Sequence, residues 1–203
     1  MKQLKKVWPR RALFYTPASD VRKIQKLTKL SGAAVPDFVA LDIEDGVALS
    51  AKNLARKNIV EMYENLRANL PYTQVGIRLN SISSGLISED LDVLPQLPSA
   101  PSCLLLPKID SPLEAEEFLE KYKSTLSKCS WKDEVKSNPV PLVSFIETAL
   151  GLLNMRSSFE ILKGASDLIS HECVVFGSDD FVASIRGSFY FSFDFYCPEQ
   201  RWI

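Results

Sequence analysis

Short apolar runs alternate along this chain with longer stretches whose apolar residues recur every three to four positions. Six runs read as strands: Ala12–Thr16, Phe38–Ile43, Gln74–Leu79, Cys103–Leu106, Pro141–Ile146 and Cys173–Phe176. Between them lie helical stretches. One runs over Asp20–Leu30, with Asp20 as its N-cap. A second covers Ala51–Leu70, with Leu54, Ile59, Met62, Tyr63 and Leu66 near helical period. A third opens at Ser111-Pro112, where Ser caps and Pro fits the first turn, and a fourth covers Leu150–Leu162. Residues 127–139 are polar and predict a loop. Strict β–α alternation at this spacing predicts an α/β fold of about six parallel strands with crossover helices.

The strands share a second regularity. They end in polar or charged residues: LDIED, IRLNS, LLPKID, FIET and VFGSDD. The carboxyl ends of parallel strands form the active-site rim of α/β proteins, barrels above all. Helix capping accounts for one polar residue per junction, and Ser50 and Ser111 are read as caps only. It does not account for the cluster Asp42, Glu44 and Asp45, nor for Arg78 and Lys108 within apolar strands.

Composition narrows the function classes. The chain has 203 residues, enough for one domain with a substantial core. Its 24 Lys and Arg against 25 Asp and Glu leave no basic excess for nucleic acid. No apolar run is long enough to suggest a membrane span. The four cysteines, Cys103, Cys129, Cys173 and Cys197, form no CxxC pair, so neither a zinc site nor a disulfide framework is expected. The single His171 has no evident Ser or Cys partner, and no GxGxxG or GxxxxGK[ST] loop is present. Trp8, Trp131 and Trp202 fall outside the strand pattern and mark no base-stacking surface.

The remaining chemistry is a set of alternatives. Glu147 and Asp180 follow neighbouring strands and could share one hard cation, or Glu147 could be a plain helix N-terminal acid. The Arg78 fork suits a substrate carboxylate; an ion pair with Glu44 or Glu147 competes. Lys108 carries the same ambiguity. Arg22 and Lys26 lie four apart on one helix face, to bind phosphates or to stay solvated.

Taken in order, PRRALFYTPASD, FVALDIEDGVALSAKNLAR, IRLNSISSG, LLLPKIDSP, FIETALGLLN and VVFGSDDF resemble the HpcH/HpaI-type aldolase superfamily, in its citrate lyase beta-like (citramalyl-CoA lyase) branch. The resemblance runs from about Pro9 to Ile185. It implies a modified TIM barrel that binds Mg²⁺ and cleaves or forms a carbon–carbon bond beside a CoA thioester. It implies Glu147 and Asp180 as metal ligands and Arg78 as the holder of the substrate carboxylate. Tyr15, Arg22 and Lys26 match the CoA or substrate entrance, and Lys108 with Ile109 the rim. Asp42, Glu44 and Asp45 match the family's acidic motif, expected to hold Arg78 or a metal-bound water in place. The implied reaction is retro-Claisen cleavage of a 3-hydroxyacyl-CoA, such as citramalyl-CoA or malyl-CoA, to acetyl-CoA and a 2-keto acid. The base in such enzymes is an Asp downstream of the GSDDF strand.

Beyond Ile185 the likeness stops, and three segments are expected: a basic arm over 1–11, a partial barrel over 12–185 and a divergent tail over 186–203. The arm, MKQLKKVWPRR, lacks a secretory core and reads as a solvated arm or a mitochondrial presequence remnant. The tail holds Phe189, Phe191, Phe193 and Phe195 at alternate positions. A full barrel takes about 250 residues, so the expectation is an incomplete TIM-type barrel without the downstream Asp. The alternative to a lyase is then a catalytically inactive shortened form or a partner of full-length subunits, which commonly form homo-oligomers. The family branch points to mitochondria.

Overall fold

The computed structural model describes residues 9–186; residues 1–8 of the basic arm and the tail from 187 onward, with Trp8 and Trp202, lie outside the described residues. In chain order the elements are β1 (Leu13–Pro17), α1 (Val21–Leu27), β2 (Phe38–Asp42), α2 (Lys52–Asn69), β3 (Gln74–Arg78), α3 (Ile87–Leu91), β4 (Leu104–Leu106), α4 (Pro112–Leu126), α5 (Lys132–Val135), β5 (Val140–Ile146), α6 (Ala149–Gly164), β6 (Ile169–Phe176) and α7 (Ser178–Ser184).

All six strands are parallel, in the unbroken order β1-β2-β3-β4-β5-β6. Winding in one direction with right-handed crossovers puts every helix on the same face of the sheet. The apolar side chains sort accordingly. Val39, Leu41, Val75, Ile77, Leu104, Leu106 and Leu142 pack with Ile24, Ile59, Tyr63, Phe118 and Leu162 of the helices. The opposite face gathers Phe38, Ala40, Leu105, Val143 and Phe145 with Cys103, and among the described residues no helix contributes to that cluster. It is the lining of a partial barrel. Arg10 spans its floor, with Nη2 donating to Glu172 Oε2 at 2.7 Å and Nε to Gln74 Oε1 at 2.9 Å. A residue before β1 thus meets one on β6, so the six strands curl toward closure.

Side-chain caps open α1, α4 and α6. Asp20 Oδ1 accepts from Lys23 N at 3.1 Å, Ser111 Oγ from Glu114 N at 3.2 Å and Thr148 Oγ1 from Gly151 N at 2.9 Å. Three expectations are corrected. Ser50 caps nothing; it lies inside a 3-10 turn, Leu49–Ala51, and α2 begins without a side-chain cap. The polar stretch 127–139 is not all loop, because Trp131 and Val135, one turn apart, bury themselves around α5 and Trp131 Nε1 donates to the Leu97 carbonyl at 3.2 Å. β6 begins at Ile169 and not at Cys173, so His171 lies within the strand. Its polar residues read as loop because their partners, Ser144 and Arg10, are far away in sequence.

Candidate functional site

Strand register dictates the first half of the rim. Asp42 and Arg78, the last residues of β2 and β3, are direct partners in the ladder. Arg78 Nε and Nη2 therefore reach Asp42 Oδ1 and Oδ2 at 2.7 and 2.8 Å, a bidentate pair. The same carboxylate accepts from the backbone of Glu44 at 2.8 Å and of Gly46 at 2.9 Å. Position 46 has to be glycine, since a Cβ there would collide with Asp42 Oδ2. Arg78 Nη1 lies 2.8 Å from Glu44 Oε2. That contact is electrostatic rather than an aligned hydrogen bond, and Glu44 Oε2 has no hydrogen-bond donor among the described residues. The guanidinium lies over the Tyr15 ring, 4.6 Å from its centroid. Burial and the neighbouring carboxylates push the Tyr15 hydroxyl up to about 12, against the pull of Arg78.

Arg78 thus pairs with Asp42 and Glu44 and not with Glu147. The ladder accounts for the Asp42 contact.

Lys108 completes this half. Its backbone sits in the left-handed region at φ 49°, which an L-residue adopts at a cost of about 1–3 kcal/mol when surroundings over-determine it. The turn sends its ammonium among acids: Glu44 Oε1 at 2.9 Å, Asp45 Oδ2 at 2.8 Å and Asp180 Oδ2 at 3.0 Å. Burial works against the charge, yet those three partners hold its proton far more tightly than usual. The Asp45 carboxyl is correspondingly held below its ordinary range, Lys108 outweighing partial burial. Glu44 goes the other way, because its burial outweighs both cations.

The β5–β6 half differs. Glu147 follows β5 directly, 6% exposed, and its Oε2 has no hydrogen-bond partner among the described residues. Burial first, then the charges of Glu44 and Asp180, push its carboxyl up to about 7. Gly177, at the end of β6, presses its backbone against this carboxylate; a Cβ there would stand 2.6 Å from Oε1. Asp180, on α7, comes over the same edge to meet Lys108.

Five carboxyl groups face two cationic side chains at this rim; Glu44 Oε2 and Glu147 Oε2 both lack a hydrogen-bond donor, and of the two only Glu44 is ion-paired among the described residues. Among the described residues no group of three or more His, Cys, Asp or Glu forms a ready metal cage. Glu147 and Asp180 are the two carboxylates that could share a hard cation here, with water and substrate oxygens in its remaining positions, the way Mg²⁺ is usually held. The donor set fits.

The other expected residues lie apart. Arg22 and Lys26 project from α1 into solvent, and neither side chain has a polar partner among the described residues. Ile109 follows Lys108, but the whole residue is buried in the core. Sequence reading missed a buried polar chain beneath the rim. Lys52 Nζ donates to Ile43 O at 2.6 Å, Glu44 O at 2.8 Å and Asn80 Oδ1 at 2.7 Å. Asn80 is gripped by Asp90, and Asp90 by Arg56. A signal existed: a cation at the first position of a helix runs against the helix dipole.

The HpcH/HpaI aldolase/citrate lyase family model matches residues 11–193. The human mitochondrial citramalyl-CoA lyase is 41% identical over 179 residues, 87% of this chain and 49% of that enzyme. The chain spans about half the length of the curated relatives it matches. Two solved structures share the fold. The Haloferax volcanii malate synthase, in a pyruvate/acetyl-CoA ternary complex, gives a TM-score of 0.73 at 16% identity over 92% of this chain and 52% of that one. The CitE protein of Mycobacterium tuberculosis, crystallised with magnesium, acetoacetate and coenzyme A, gives 0.58 at 23% identity over 90% of this chain and 54% of that one.

Proposed function

The chain belongs to the HpcH/HpaI aldolase/citrate lyase family, and on that premise we propose that it carries the metal and substrate-anchoring half of a Mg²⁺-dependent carbon–carbon lyase acting on a 3-hydroxyacyl-CoA thioester. The observation that supports this most is the buried, unpartnered oxygen of Glu147 beside Asp180. Citramalyl-CoA is the first substrate to test, because three relatives carry that name, and malyl-CoA the second. Those relatives are also named as mitochondrial, which supports the same compartment here.

Glu147 and Asp180 would hold the Mg²⁺, which supplies Lewis acidity toward the substrate oxygen where negative charge develops. The chain's own residues do the rest. Arg78 has five N–H donors and aligns two of them on Asp42, with Nη1 also facing Glu44, which leaves donors on Nη1 and Nη2 for a substrate carboxylate. Tyr15 covers one guanidinium face and keeps it from tilting. In cleavage the substrate hydroxyl loses its proton, the bond to the acetyl carbon breaks, and the electron pair leaves as the enolate of acetyl-CoA. Glu44 and Asp45 are already engaged by Lys108, so neither is free to serve as that base. Arg22 and Lys26, exposed on α1, are our candidates for the CoA phosphates.

A second reading is a non-catalytic partner of longer family members. The outward face of β6 supports it, with Val174 and Phe176 41% and 56% exposed where parallel sheets of this class are normally covered. Titration of the 203-residue chain with Mg²⁺, followed by a citramalyl-CoA cleavage assay, separates the two. Metal binding with turnover supports the lyase; metal binding without turnover supports the partner. No Mg²⁺ binding at millimolar concentration would sink the metal site itself.

A further inference from the structure

Three polar groups near the strand ends are left unused by that chemistry: Ser144 with His171 and Asp110 with Thr148, both part-buried, and the chain from Lys52 through Asn80 and Asp90 to Arg56. The last reaches the rim from below.

Lys52 is 8% exposed, and its ammonium spends all three N–H bonds on Ile43 O, Glu44 O and Asn80 Oδ1. None goes to a carboxylate. A buried ammonium is costly, and a cation in the first turn of a helix is unfavourable as well. Stability alone would favour an acid or an apolar residue at the start of α2.

What those bonds achieve is geometric. Ile43 and Glu44 are the first residues past β2, and Asn80 lies two residues past Arg78. The ladder between these strands ends with Ile43 N donating to Arg78 O at 3.0 Å. Beyond that point only Lys52 ties the two chain ends together among the hydrogen bonds of the described residues. Asn80 cannot turn away, because Asp90 Oδ2 accepts from its backbone N at 2.6 Å and from its Nδ2 at 2.7 Å. Asp90 is fixed in turn by Arg56 Nε at 2.9 Å, one helical turn after Lys52. Both anchors therefore come from one rigid element, α2.

We infer that Lys52 is a positioning residue: it fixes the offset between the ends of β2 and β3, so that Asp42 and Glu44 meet the Arg78 guanidinium in the orientation that presents its free donors. The functional side of this rests on Arg78 as the anchor of a substrate carboxylate. The geometric side does not.

The test is the ¹H–¹⁵N resonance of the Arg78 Nε–H in the whole 203-residue chain, assigned by its loss in Arg78→Lys. In the wild type it exchanges slowly with solvent. In Lys52→Met it shifts and exchanges at least tenfold faster, while circular dichroism shows the fold retained. Tyr63→Phe is the control, since it removes a buried hydroxyl bonded to Val75 O at 2.7 Å and Ser102 N at 2.8 Å, at the far end of β3. It lowers the unfolding midpoint and leaves the Arg78 resonance in place. An unchanged resonance in Lys52→Met, or an equal change in Tyr63→Phe, overturns the inference. If Lys52→Met does not fold, Asn80→Ser withdraws one of the three acceptors; an intermediate change supports the role and no change overturns it. Pyruvate titrated in the presence of Mg²⁺ reads the functional side, with affinity at least tenfold weaker in Lys52→Met. A wild type that binds no pyruvate removes the reading of Arg78 as a carboxylate anchor, and the resonance still decides the role of Lys52.

Discussion

The β2–β3–β4 part of the rim and the β5–β6 part solve opposite electrostatic problems. In the first, Asp42 has four donors, Glu44 is ion-paired to both cations and Asp45 to Lys108, so each carboxylate faces a cation before any ligand arrives. In the second, Glu147 keeps an unpaired oxygen and a carboxyl pushed up to about 7. Matched charges hold their own geometry. An unmatched buried carboxylate is the place where a cation gains most.

The largest effect should come from breaking the matched half. Asp42→Ala strands the buried Arg78 guanidinium and should cost about 3–5 kcal/mol of stability, the usual penalty for removing one member of a buried pair. Glu147→Gln should cost nothing, or raise the denaturation midpoint of the metal-free chain at pH 8. Urea unfolding of both variants checks this, and a Glu147→Gln loss as large as that of Asp42→Ala would erase the contrast between the halves.

Next in size is the response to metal. A cation bound at a hundred times its Kd should stabilise the chain by about 2.7 kcal/mol, seen as a rise in melting temperature on adding Mg²⁺ and its reversal by EDTA. The rise should vanish in Asp180→Asn and in Glu147→Gln and survive in Asp45→Asn. A shift that persists in both ligand variants places the cation elsewhere.

The pH dependence without metal should also belong to the β5–β6 half. The Glu147 carboxyl is raised above its unfolded value of about 4.3, so its contribution favours folding at low pH and is lost as pH rises toward 7. His171 has the opposite sign. Burial, and secondarily Lys163, lower its pKa, so its contribution is intact above the unfolded value of about 6.5 and lost as pH falls below it. Stability measured in EDTA from pH 5 to 8 should lose its decline toward alkaline pH in Glu147→Gln and its decline toward acid in His171→Phe. Retention of both slopes in both variants contradicts the assignment.

The smallest effect concerns α1. Lys26→Ala should leave the melting temperature unchanged, because the side chain has no polar partner among the described residues, and should weaken CoA-thioester binding several-fold. Calorimetry with acetyl-CoA decides it; equal affinity would leave Lys26 a solvated surface lysine.

Much of this was legible in the chain. Apolar runs of strand length and helices of regular period are local signals, and with alternating order they determine a parallel sheet. Polar strand ends are local too, so Asp42, Glu44, Asp45, Arg78, Lys108, Glu147 and Asp180 could be named as candidates before any contact was known. Contacts between distant residues decided the rest. Arg78 chose Asp42 over Glu147 because parallel register places residues 42 and 78 side by side, and register depends on both strands at once. Residues 127–139 looked like loop because three apolar residues in thirteen, Cys129, Trp131 and Val135, carry little pattern, and Trp131 counts only once Leu97 lies beside it. His171 and Glu172 hid the start of β6, since polar residues in a strand are explained by Ser144 and Arg10, twenty-seven and one hundred and sixty-two positions away. Lys52 was the hardest to see. Its role lies in two carbonyl oxygens and one amide, and a backbone acceptor leaves no trace in the sequence until the fold has placed it.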